Sequence, residues 1–403
     1  MKIINFLIAL SSVSLTLAQY TIKDVKKTYE SGNFPGTIQM GEKIIKKNES
    51  NQELNFLLGM AYLKTRINRE KAVQYLKKAY ELGYQNNALP LYIAKAYYYI
   101  YEIDSAITYL NILSKKSDPK LNASADSLLK HIQTLKKLMA EPVDVLIQNL
   151  GKGINTEFPD YLPWIDPEET FLVFTSRRSS NVNAIIQFDG YYNSDIWYAI
   201  KKDGKFSRPK NLSINTAFDE QVCGISSDAS VMFVYIHNPD VFGDVFMSKK
   251  AGDNFTNPVK IEEPVNSPHM EYSAASNSSL SIFFVVSDRP GGMGGKDIWV
   301  IKKLPNGEWS TPYNPPQINT PLDEEFPYLF SDEKTFYFSS QGHENIGGLD
   351  IFEAQYDPES GAFSQPRNIG FPINTPDDDF SICFNSTKSV AYISSARPNS
   401  TIG

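Results

Sequence analysis

Five acidic residues stand in register along the C-terminal part of this 403-residue chain. Asp160, Glu220, Glu271, Glu324 and Asp379 each lie five residues after the asparagine of a short Ile/Val-Asn-Thr/Ser tag. The tags are Ile154–Thr156, Ile214–Thr216, Val265–Ser267, Ile318–Thr320 and Ile373–Thr375. A carboxylate recurring in this way has two uses. It can tie its loop to backbone N–H groups of a neighbouring repeat, as repeated positions usually serve the repeat. It can also join a ring that concentrates negative potential around one mouth of a channel, capturing a cation or a basic segment of a partner. Asp219, Asp323 and Asp378 stand beside three of the five and would reinforce such a ring. Four further aspartates, Asp195, Asp244, Asp297 and Asp350, open Asp-aliphatic-aromatic triplets. Coming after turns, they are expected to accept backbone N–H groups of the loop, a structural duty repeated in each unit.

Other catalytic patterns are sparse. The four histidines (His131, His237, His269, His343) show no ligand spacing, so no zinc or other metal site is expected. Gly291–Gly295 and Gly347-Gly348 connect strand to strand, so they read as hairpin turns rather than phosphate cradles and imply no cofactor. There is no Gly-x-Ser-x-Gly elbow. A glycosidase would need two or three non-equivalent carboxylates in a central cleft, and no non-repeating pair stands out. Aligned on the tags, Cys223 falls opposite Ile382, one position from Cys383, so the pair is expected as two buried thiols rather than a disulfide.

The elements that carry these residues are short strands. A β-branched and aromatic run follows each tag: FLVFTS, VMFVYI, IFFVVS, TFYFSS and VAYISS. A period of 51 to 60 residues between tags, made of such strands, predicts a β-propeller with one blade per repeat over 141–403. Val143–Leu150 matches the tail of each blade and is expected as an outer strand completing the last blade. The fifth repeat breaks off after its second strand, which predicts an incomplete last blade and a chain that is a fragment of a longer protein.

Residues 20–140 show no strand pattern and read as helix pairs. Gly59 and Tyr62 precede Ala72 and Ala79; Ala94 and Tyr97 precede Ala106. Small residues here let two helices approach, and the arrangement resembles the tetratricopeptide repeat. Pro35 is tolerated only in a first helical turn. A last helix over about Ala123–Met139 would cap the stack. Met1–Ala18 reads as a secretory signal peptide, leaving a helical domain over 19–140. Glu141-Pro142 ends the helices, and the two parts are expected to have separate cores. Residues 20–140 carry 19 basic and 11 acidic residues, whereas residues 141–403 carry 19 and 35. A basic arm on an acidic body points to different partners for each, and against nucleic acid as a ligand of the body.

The blade text resembles WD40-like repeats of the TolB type: INT followed by paired acids, SDEKTFYFSS, Gly-Gly-x-Asp-Ile-Phe and FSQPRNIG. With the signal peptide and helical repeats, the chain is similar to the N-terminal part of OmpA-family envelope proteins of Gram-negative bacteria, among them a type IX secretion and gliding-motility component. The resemblance implies a non-catalytic periplasmic scaffold of the outer membrane and cell wall, not an enzyme. It implies envelope partners, an outer-membrane β-barrel or lipoprotein, and peptidoglycan held through a C-terminal domain absent from this chain. The alternative is a secreted five-bladed carbohydrate-active enzyme. The expected fold class is α+β multidomain, a helical solenoid followed by an all-β propeller.

Overall fold

A computed structural model describes residues 20–113, 118–237 and 243–397. The signal peptide expected at Met1–Ala18 lies outside them.

Among the described residues seven α-helices come first: α1 (Ile22–Glu30), α2 (Phe34–Ile44), α3 (Gln52–Thr65), α4 (Arg69–Glu81), α5 (Leu89–Tyr98), α6 (Ile103–Leu113) and α7 (Pro119–Ala140). Their starts are written in the sequence. Thr21 and Asp24 form a capping box on α1. Asn33 caps α2, with Pro35 in its first turn. Each helix packs on the next. The approach of α3 to α4 requires glycine at position 59, where a Cβ would come within 2.9 Å of the Leu76 backbone nitrogen. Ala72, Ala79, Ala94 and Ala106 are fully buried in the seams. The helical character is thus as expected, while α7 begins four residues before the predicted Ala123.

The remainder is β-rich and arranged as a propeller. Four sheets of three or more strands are followed by a two-stranded fifth. First strands are Asp160–Ile165, Asp219–Ile225, Glu271–Ser276, Glu324–Leu329 and Asp379–Phe384. Each pairs antiparallel with the run predicted after it, and each carries a register shift. The triplet aspartates open the third strands, Asp195–Lys202, Asp244–Ala251, Asp297–Lys302 and Asp350–Gln355. The fifth sheet packs on the fourth and on the first, so the ring closes. Val143–Leu150 does not form the expected strand and is largely exposed. Its partner would be a third strand of the fifth blade, and among the described residues that sheet has two strands. Cys223 and Cys383 are free and buried, and burial pushes the Cys383 thiol up to about 12.

What joins blade to blade is the tag asparagine. Asn319 Oδ1 accepts from Ile298 N and its Nδ2 donates to Ile298 O, both at 2.8 Å. Asn215 holds Ile196, Asn266 holds Val245 and Asn374 holds Ile351 in the same two-point manner. The side-chain amide thus continues the strand ladder of the preceding blade. Asn319→Ala leaves a buried N–H and C=O unmatched and should cost about 2–4 kcal/mol. Urea denaturation measures this, and a loss below about 1 kcal/mol, the net worth of one ordinary hydrogen bond, would show the clamp to be dispensable.

Candidate functional site

The five repeated acids are inside the blades. The side chains of Glu220, Glu271, Glu324 and Asp379 are fully buried, and that of Asp160 is nearly so. Each closes the turn of its own tag. Thr320 N and Oγ1 donate to Glu324 at 2.8 and 2.7 Å, Ser267 N and Oγ to Glu271 at 3.0 and 2.6 Å, and Thr375 N and Oγ1 to Asp379 at 2.7 and 2.9 Å. Thr156 binds Asp160 and Thr216 binds Glu220 alike. Their bonds are therefore to their own turn rather than to a neighbouring repeat. Beside the asparagine clamps, it is the adjacent acids that add a tie between blades: Asp219 accepts from Ser194 N, Asp323 from Lys296 N and Asp378 from Leu349 N. A displayed ring of negative charge is not what the geometry builds.

Arginines neutralise alternate members. Arg178 pairs with Asp160, Arg289 with Glu271 and Arg397 with Asp379. Among the described residues Glu220 and Glu324 have no such ion pair. Burial pushes Glu324 up to about 7 and raises Glu220. Asp379, despite Arg397, is pushed up to about 6 by complete burial. The triplet aspartates act within their loops: Asp297 accepts from Met293 N and Gly294 N, Asp350 from Ile346 N and Gly347 N, and Asp195 from Val182 N. Asp244 instead pairs with Lys260.

The tag end of the propeller is where the helices dock. Arg69, first residue of α4, forms an ion pair with Asp377 in the fifth tag turn, both side chains almost wholly buried. The Arg69 guanidinium lies 4.1 Å from the Tyr99 ring centre. Arg66 pairs with Asp378 beside it. Tyr98 donates to Ile346 O at 2.5 Å, and Tyr101 meets Phe371 edge-on. Ile346 is fully buried in the same apolar cluster as α5, α6 and α7 residues. Each part has apolar clusters of its own, and the two parts meet at a seam where Ile346 and Phe371 join the α5–α7 cluster. Two arginines of the basic arm thus find acids of the propeller in their own chain, whereas the charge balance had been read as pointing to different partners for the two parts.

Two features break the repeat pattern. Six residues after the tag asparagines stand Tyr161, Gln221, Tyr272, Glu325 and Phe380, so Glu325 is the one acid of the set. Burial raises its carboxyl, and Lys296 Nζ at 3.0 Å opposes the shift. Lys296 also lies 4.3 Å from the Tyr272 ring centre, and Tyr272 donates to Asp288 at 3.3 Å. Asp288, Tyr272, Lys296 and Glu325 thus form a polar row across the third and fourth blades. The acid pair Glu324-Glu325 was visible in sequence, but only strand alternation separates the buried member from its neighbour. The second feature is a groove of about 540 Å³ on the helical arm, lined by Glu42, Lys46, Gln74, Tyr75, Lys78 and Glu81 among others. Glu42 there accepts from Tyr62, Lys71 and Tyr75. Among the described residues no cluster of three or more His, Cys, Asp or Glu is arranged to hold a metal, and no helix is long and apolar enough to cross a membrane.

No family model and no curated protein matches the chain. Solved structures with similar folds include a thermostable family-43 glycoside hydrolase, at 11% identity over 59% of this chain and 83% of that one, with a TM-score of 0.37. A puromycin-hydrolyzing peptidase of Mycobacterium tuberculosis is 13% identical over 60% of this chain and 39% of its own, TM-score 0.32. An alpha-L-arabinofuranosidase from Lactobacillus brevis is 10% identical over 51% and 73%, TM-score 0.29. The chain therefore spans about two fifths of the peptidase. The expectation that the protein is not an enzyme is withdrawn, because these similar structures are hydrolases.

Two outcomes test this account. Removing one partner of a buried ion pair costs about 3–5 kcal/mol, so Asp377→Ala should loosen the helical arm. Protease cleavage near Ala140–Val143 should then accelerate at least tenfold, whereas an unchanged rate would mean that apolar contacts alone seat the arm. Glu324 sets a pH dependence. Unfolded it titrates near 4.5, and folded near 7. Between those values the unfolded chain releases a proton that the folded chain keeps, so stability falls as pH rises from about 4.5 to about 7. Glu324→Gln should flatten that slope in melting curves taken across the window.

Proposed function

We propose that the chain is an exported interaction protein of the Gram-negative envelope, in which a helical repeat arm fixed to a propeller presents a partner-binding surface. The observation that carries this reading is the buried Arg69–Asp377 pair with the apolar seam around Ile346. It supports one stiff body with two kinds of surface, which is what bringing envelope components into register demands. The partner site is assigned to the arm groove. Its lining is polar and of both charges, suiting a polar polypeptide segment of an outer-membrane barrel or lipoprotein better than a lipid tail. The tetratricopeptide and OmpA-family resemblance, and the periplasmic location, belong to this proposal.

A photo-reactive residue at Gln74 or Lys78 tests it in the native cell. The expected outcome is one envelope cross-link of defined mass, lost when the probe is moved to Lys205 on the outer side of the first blade. Equal labelling at all three positions would sink the reading.

One observation favours a second reading. The non-repeated row of Asp288, Tyr272, Lys296 and Glu325 supplies two carboxylates in unlike surroundings, one raised by burial, which is the raw material of glycoside hydrolysis. On that reading chromogenic aryl glycosides turn over, and Glu325→Gln lowers kcat at least 100-fold, as loss of a general acid does. Absence of turnover across α- and β-linked substrates would retire it.

A further inference from the structure

The connection between second and third strands is not the same length in every blade. It takes nine residues in the third blade, 288–296, and nine in the fourth, 341–349, but eighteen in the first, 177–194. The extra length folds into a hairpin. Ile186 bridges Tyr192, Gln187 N donates to Tyr191 O at 2.7 Å, and Gly190 turns the chain at a φ of 88°.

The polarity of this hairpin is reversed. Its polar side chains are bonded to the body of the propeller. Asp189 is gripped by both terminal nitrogens of Arg177, at 2.6 and 3.0 Å, while Arg177 Nε donates to Tyr192 O at 2.6 Å. Gln187 Nε2 donates to Asp219 of the next blade at 2.8 Å. Asn193 Nδ2 donates to Val182 O and Phe218 O at 3.1 and 3.2 Å, and its Oδ1 accepts from Ile185 N at 3.1 Å. The Tyr192 ring meets Phe158 edge-on. The apolar side chains are left outside. Phe188 is 79% exposed, Ile186 60% and Ile185 57%, with Val182 and Phe218 exposed beside them. A hairpin braced at so many polar points cannot roll these side chains inward, and a cluster of them on a soluble face marks a contact site.

Two observations choose what covers it. Residues 179–188, SSNVNAIIQF, contain no charged side chain. A hydrocarbon layer penalises every charge, whereas a protein partner is met with a polar rim. The second observation is the charge beside the hairpin. The corner between α1 and α2 abuts it: a Cβ on Gly32 would lie 3.9 Å from the Phe188 ring, and one on Gly190 would come within 2.5 Å of Asn33 Oδ1. The α1 helix leading into that corner exposes Lys23 and Lys27. It belongs to the basic arm, with 19 basic and 11 acidic residues over 20–140, whereas residues 141–403 carry 19 and 35. An anionic surface therefore attracts the side of the molecule where the hairpin meets the arm and repels the rest of the propeller.

We propose that this hairpin is a lipid-binding finger, seated in the interface of an anionic bilayer. Ile185, Ile186 and Phe188 enter the boundary between headgroups and acyl chains, and the α1 lysines lie against the phosphates. The chain then lies on the membrane without spanning it. This site is separate from the arm groove and does not depend on what that groove holds.

The test places an environment-sensitive nitrobenzoxadiazole label on Ile185→Cys of the full chain. Both native cysteines are buried, so the label goes to the new thiol. On addition of vesicles of phosphatidylethanolamine and phosphatidylglycerol, the emission should shift to the blue and become shielded from an aqueous quencher. The same label on Lys205→Cys, on the outer side of the first blade, should show neither change. Adding Ile186→Asp and Phe188→Asp should weaken the Ile185 response at least about tenfold, because two charges must then enter the apolar layer. The melting temperature should stay the same, since both side chains are exposed. Lys23→Glu with Lys27→Glu should weaken the response to the anionic vesicles and leave that to phosphatidylcholine vesicles unchanged. An unshifted Ile185 label, or the same response from the double aspartate variant, overturns the proposal. So does a free chain that sediments as a dimer which the aspartates dissociate, because a second copy then covers the finger.

Discussion

The asparagine clamp is the constraint on which the β part depends. A blade is a twisted sheet whose first strand must start at the third strand of the blade before it, some twenty residues earlier in the chain. Nothing in a bare loop fixes that distance. An asparagine amide sets an N–H donor beside a carbonyl acceptor with the spacing of a backbone peptide, so it can pair with a strand residue at both atoms. Asn215, Asn266, Asn319 and Asn374 do so on Ile196, Val245, Ile298 and Ile351. The Thr or Ser that follows, and the acid four residues on, then lock the turn that delivers the chain into the next first strand. Aspartate would lose the donor and leucine both groups, which is why the four clamping tags read Asn.

This economy decides where function can reside. The repeated acids are consumed by the fold: desolvated, hydrogen-bonded and, in alternate blades, paired with arginine. A group in that state offers no field to a ligand. Burial raises the pKa of Glu324 rather than leaving a free charge at a channel mouth, so the cost of desolvation already works against ionisation. Positions where the repeats disagree are under no such demand. Glu325, where other blades have Tyr, Gln, Tyr and Phe, is one.

Much of the fold was legible because short-range patterns carry it. Tags, strand runs and triplets are each local, and their period announced the propeller. Alanine and glycine spacing announced helix pairs, and Gly59 against Leu76 gives that signal a physical meaning. The candidate site was less legible, for two reasons. Which way an acid faces depends on one step of strand alternation, complicated by a register shift in every first strand. And the docking of arm on propeller joins residues 312 positions apart, Arg66 and Asp378, which no local pattern reveals. The charge imbalance held the clue, but opposite charges on two halves of a chain are as compatible with foreign partners as with each other. Val143–Leu150 shows the converse error. Its sequence is that of a strand, yet a strand is a relation between two segments, and a lone one remains exposed chain.

The seat of the arm follows from the same rule applied where the ring closes. The fifth tag turn, Thr375–Asp379, gives its own acid to the turn and its two preceding acids, Asp377 and Asp378, to the helices. The first tag turn gives Asp160 to the turn in the same way. One turn sequence therefore performs two jobs according to what lies beside it: it links blades or seats the helical arm. Repetition supplies the geometry, and in the fifth tag turn the acids that the turn itself does not use are taken up by the helices rather than displayed at a channel mouth.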